Sequence, residues 1–158
     1  MAADDPHWGE QEQQGPEHHA DARRAAVDVV LVSGLSGYVR AVADALDVTI
    51  EATEFEVSDT ATAYLGLAVQ SAHHPHHDLM LVWSERHGWA LAAETTPVEQ
   101  PVVLAYLGAD LVPEPAEVAR FVRATIADFP EGERTPPSIT IDRRDVGARL
   151  ARYAVQRS

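Results

Sequence analysis

The chain has 158 residues, 46% of them apolar, no cysteine, and a formal net charge of −13. That length suits one domain. The missing thiols exclude disulfides, thiolate-held zinc, iron–sulfur clusters and a cysteine nucleophile. The strong negative charge disfavours nucleic-acid binding, because phosphate backbones would be repelled.

All 12 basic residues are arginine. No uninterrupted apolar run approaches the ~20 residues of a membrane-spanning helix. The first residues lack the cationic-then-apolar order of a secretory signal. The expected location is the cytoplasm, without membrane contact.

Residues 1–22 hold six acids and no arginine, with little to bury. They are expected to form a disordered acidic tail; Trp8 is its one large apolar residue. Residues 23–130 are expected to form the core domain. Residues 21–32 mix alanine with valine, and are read as a helical lead-in. From Leu35, apolar residues recur every three or four positions through Tyr38, Val39, Val42 and Leu46. That is one face of an amphipathic helix.

Residues 48–58 alternate, with Phe55 and Val57 opposite Glu54 and Glu56, and read as a half-buried strand with an irregularity near Ala52. Residues 63–69 are nearly all apolar and predict a central strand covered on both faces. Gly66 marks a bulge or a close contact there. The loop 70–77 follows.

Residues 78–94 are the most informative stretch. Apolar runs at 79–83 and 89–93 flank Ser84-Glu85-Arg86-His87-Gly88, the pattern of a hairpin whose loop closes on a left-handed glycine. Residues 102–107 predict a further strand. Pro115, with Glu114 and Glu117 nearby, opens the clearest helix, whose stripe runs Val118, Phe121, Val122, Thr125, Ile126 and Phe129. Residues 131–137 read as a linker and 138–142 as a short strand. A basic C-terminal helix completes a separate segment, 131–158. Between Arg143 and Arg157 lie five arginines and one acid, Asp145.

The order predicts an α+β fold: a mostly antiparallel sheet of about 4–5 strands with helices packed on one face. The helix around GYVRAVADAL, the hairpin with W-x-E-R-H-G-W, the AYL strand and the run VVLAYLGADLVPEPAEVARFV together resemble an actinobacterial family, domain of unknown function 6292. The resemblance covers roughly residues 35–129. It implies little beyond an intracellular domain and assigns no activity or catalytic residue.

Two clusters carry chemistry. His73, His74, His76, His77 and Asp78 form a loop whose imidazoles and carboxylate suit weak zinc or nickel binding. The hairpin tip, Trp83, Glu85, Arg86, His87 and Trp89, is a candidate recognition surface, because Trp and Arg are enriched at binding hot spots. Glu85 and His87 alone would be the acid–base pair of a small enzyme, although a turn offers no evident pocket. No phosphate loop, nucleophile elbow or HExxH occurs. The expected function is a non-enzymatic binding or regulatory module using the tip, with a protein partner or self-association. Metal binding through 73–78 and Glu85/His87 catalysis are the alternatives. No cofactor is expected beyond weak zinc or nickel.

Overall fold

The computed structural model describes residues 6–71, 74–94, 102–108, 110–127, 133–137, 139 and 141–154, with residues 6–19 described as backbone only. Helix α1, Pro6–Ala45, is followed by a 3-10 turn at Ile50–Ala52. Five strands come next: β1 Thr53–Val57, β2 Ala61–Gly66, β3 Leu79–Ser84, β4 Gly88–Ala93 and β5 Val102–Tyr106. Helices α2, Pro115–Ile126, and α3, Arg143–Ala151, follow. The strands lie in chain order, β1-β2-β3-β4-β5, each antiparallel to its neighbours. A meander needs only short connections, which the turn-rich sequence supplies.

Alternation decides the layers. Leu65 of β2, Leu79, Leu81 and Trp83 of β3, and Trp89 and Leu91 of β4 face one side and are at most 1% exposed. They join one apolar cluster with Leu31, Leu35, Tyr38, Val42, Phe121, Val146 and Leu150. No strand residue of the opposite parity in β2, β3 or β4 belongs to that cluster. The helices therefore cover one face of the sheet, as expected for an α+β fold.

In helix α1 the Ala- and Val-rich lead-in and the amphipathic stretch form one continuous helix. Its packing begins at Val27; residues 20–26 are exposed. By length and composition, Ala20–Leu46 is apolar enough to cross a membrane, with a mean hydropathy of 1.5. Asp28, Ser33, Ser36 and Arg40 interrupt the stretch, while its valines, leucines and alanines sustain the average. One stripe of it, with Leu31, Leu35, Tyr38 and Val42, is fully buried in the core, while Val29, Val30 and Val32 are exposed.

The helix ends in a Schellman motif. The Val48 N–H donates to the Ala43 carbonyl at 2.8 Å and the Asp47 N–H to the Asp44 carbonyl at 3.2 Å, with Asp47 left-handed at φ 59°. Aspartate tolerates that conformation better than most residues with a Cβ.

Two expectations are corrected. Strand β2 is covered on one face only: Thr62 is exposed and Tyr64 half-buried. Among the described residues of 138–142 there is no strand; Ile139 and Ile141 pack on the core as irregular chain. Helix α3 packs on the core through Val146 and Leu150. Helix α3 lies so close to α1 that a Cβ on Gly37 would fall 1.5 Å from the Tyr153 carbonyl oxygen, and one on Gly34 2.8 Å from Leu150.

Candidate functional site

The hairpin forms where the sequence places it. Ser84 pairs with Gly88 across a turn of Glu85, Arg86 and His87, and Gly88 takes φ +72°. A Cβ there would also stand 3.3 Å from the Asp110 carbonyl oxygen, so both the turn and the packing require glycine.

Trp83 and Trp89 do not belong to an exposed tip. They pair directly across the hairpin and turn toward the helices, 1% and 0% exposed. Strand alternation puts them on one face, and burial of two indoles outweighs their display. Each N–H finds a partner, as buried indoles do. Trp83 donates to the Leu111 carbonyl at 2.8 Å. Trp89 donates to the Tyr38 hydroxyl at 3.0 Å, and that hydroxyl donates to the Pro113 carbonyl. Burial pushes the Tyr38 phenol far above its ordinary pKa, so it remains a donor.

Glu85 is likewise inward. Its carboxylate accepts from the Ala61 N–H at 2.6 Å and from Arg143 at 2.7 Å. Arg143 also reaches Asp28 at 3.1 Å and the Ser58 carbonyl at 2.7 Å. One guanidinium thus ties α1, the β1–β2 turn and the hairpin tip to the start of α3. Its pKa is raised chiefly by the Glu85 hydrogen bond. Arg149 holds Asp110 in a two-bond pair at 2.7 and 2.6 Å. That pairing keeps the Asp110 carboxyl below the usual carboxylate range.

His87 goes the other way. Its backbone N–H donates to Ser84 Oγ at 3.0 Å, and its ring meets Tyr106 edge-on at 6.3 Å between centroids. Nδ1 lies 3.1 Å from the Pro137 carbonyl, which can only accept, so that nitrogen carries the proton. Glu85 and His87 diverge toward opposite faces, and the acid–base pair is not assembled. Arg86 is exposed.

In the histidine loop, His74 Nδ1 is 3.5 Å from Ser71 Oγ, and Asp78 accepts from Gln70 Nε2 at 2.5 Å. His76 and His77 are exposed, and His73 lies outside the described residues. Among the described residues no three metal-ligating side chains converge.

The concavity lies instead on the face of the sheet turned away from the helices, where Met80, Ala90 and Ala92 are themselves buried. It is a groove of about 790 Å³, within the ~300–1,000 Å³ typical of ligand sites. Val82 and Ala90 are among its apolar lining, with Tyr64 and Tyr106 from β2 and β5. Glu54 and Glu56 line it on β1; His87 and Val103 line it on the β4–β5 side. Tyr64 lies over Gly66, whose Cβ would come 3.2 Å from the phenol oxygen. Partial burial, then the Glu94 and Glu54 carboxylates, raises the Tyr64 pKa. A bulge between Leu91 and Ala92 shifts the β4–β5 register and puts both Tyr106 and Val103 on the groove side.

The site is scattered through the sequence, because each strand contributes only alternate residues. The Glu54-Phe55-Glu56 alternation was its visible trace.

A model of the family of unknown function DUF6292 matches residues 38–124, more than half of the chain. The chain belongs to that family. The match runs from the buried Tyr38 on α1, through the whole sheet, into α2. It therefore spans every groove-lining residue named above. No curated protein and no solved structure matches the chain.

Proposed function

We propose that this family member is a non-enzymatic binding module that takes a polypeptide partner in the groove on the sheet face turned away from the helices. One observation carries the reading: a five-stranded sheet is packed on one side and presents a concave, aromatic-lined groove on the other. Exposed apolar concavities with polar rims are where proteins dock. The contact surface moves from the hairpin tip to the adjoining groove. Of the tip residues whose side chains were expected to meet a partner, His87 is the one that faces the groove from the turn.

The test is amide-resolved NMR of the full chain, titrated with a panel of short acidic, neutral and basic peptides. Shift changes are expected at Val82, Ala90 and Val103. Changes confined to 85–87 or 74–78, or none with any peptide, would refute the reading.

A further inference from the structure

We propose that the groove selects a basic amphipathic segment and binds it in one orientation, its arginines or lysines against β1 and its apolar residues between Tyr64 and Tyr106. This rests on the open-face reading above and names the partner's chemistry.

The two walls differ in charge. Glu54 and Glu56 are two apart on β1, so both project to the groove side. Both are exposed. Among the described residues that line the opposite wall, His87, Tyr106 and Val103 carry no carboxylate; Glu133 pairs with the backbone of Tyr106 beside it, outside the lining. Elsewhere the buried or half-buried carboxylates of Glu85, Asp28 and Asp110 each hold an arginine. Among the described residues neither Glu54 nor Glu56 has an ion-pair partner. The groove therefore has one wall of unneutralised negative charge and an apolar interior. A chain with a net charge of −13 reinforces that field. A segment bringing cations along one edge and apolar side chains along the other satisfies both. An acidic segment would set like charges against each other, which costs affinity.

The experiment uses two synthetic peptides that alternate leucine and tyrosine with either arginine or glutamate. Binding to the full chain is followed by fluorescence anisotropy at low and high salt. The wild type is expected to prefer the arginine peptide by about tenfold, since two exposed ion pairs together supply that order of discrimination. Salt should shrink the preference. The double variant Glu54→Lys/Glu56→Lys changes two exposed positions on an edge strand; retained amide shifts in the core will show that it folds. It should invert the preference.

Equal binding of both peptides, with shift changes on the open face, would overturn the charge selection and leave the binding module standing. A preference that survives the double variant would overturn the orientation. No binding by either peptide would sink both readings. Peptide-independent self-association that is abolished by Val82→Arg would overturn the basic-segment proposal in favour of a second copy of this chain.

Discussion

Strand β3 separates two environments one residue apart. Leu79, Leu81 and Trp83 point into a fully buried apolar cluster beneath three helices. Val82 and Ser84, on the same strand, line an open groove. The covered side is closed by direct contacts: indole hydrogen bonds, a glycine interface between α1 and α3, and two arginine clasps. Among the described residues the open side has none of these, and Glu54 and Glu56 there have no ion-pair partner. The contrast separates residues that hold the fold from residues left available to a partner. It also reassigns the hairpin tip, whose two tryptophans and Glu85 serve the covered side.

Glycines on the two sides should give the largest difference. Gly37→Ala puts a carbon 1.5 Å from the backbone oxygen of Tyr153. No side-chain rotation relieves that, so α3 must move. The expected loss is ~3 kcal/mol or more, at the upper end of overpacking costs. On the open side, Gly66→Ala meets the far end of Tyr64 at 3.2 Å, which can swing away, and the Ala52 carbonyl oxygen at an ordinary contact distance of 3.8 Å. It should stay within ~1 kcal/mol of wild type. Denaturant unfolding measures both. Equal costs would mean that α3 is not seated on α1 as described.

The clasp between Arg149 and Asp110 gives an intermediate, pH-dependent effect. Asp110 has a folded-state pKa below its ordinary value of 3.8, held there first by the Arg149 hydrogen bond. A depressed carboxyl stabilises the fold above its unfolded pKa and loses that contribution as pH falls through the folded value. Asp110→Asn should therefore be less stable than wild type at neutral pH. The gap should close as pH drops below ~4. Thermal unfolding of both proteins across pH 2–7 checks the sign; a gap that widened on acidification would rule out the clasp as the cause.

Much of this contrast was legible before the structure. Gly88 after a short polar loop marked the hairpin, and Pro115 marked the start of α2. The alternation of Glu54 and Glu56 with Phe55 and Val57 marked a one-sided strand. What stayed hidden was long-range. Periodicity says that Trp83 and Trp89 share a face, but not whether helices or solvent lie beyond it. Nothing local links Arg143 to Glu85, 58 residues away. In 63–69, small and apolar residues looked like a strand covered twice, yet Tyr64 lies over Gly66 on the open face. Ile139 and Ile141 have strand spacing, but pack without entering a sheet.

The smallest expected effect is the sharpest probe of the open face. Val82→Thr keeps a β-branched side chain of similar shape, so strand preference is maintained. It adds one hydroxyl. Where the site is open to solvent, that hydroxyl is hydrated and the stability change should stay within ~0.5 kcal/mol. At Leu81, one residue away and fully buried, threonine both removes buried carbon and leaves an unpaired hydroxyl. Several kcal/mol should then be lost, ~2–4 by the sum of those costs. If Val82→Thr instead cost as much as Leu81→Thr, the groove would already be filled in the free protein. The occupant would then be another part of this chain or a second copy, and a free docking surface would have to be abandoned.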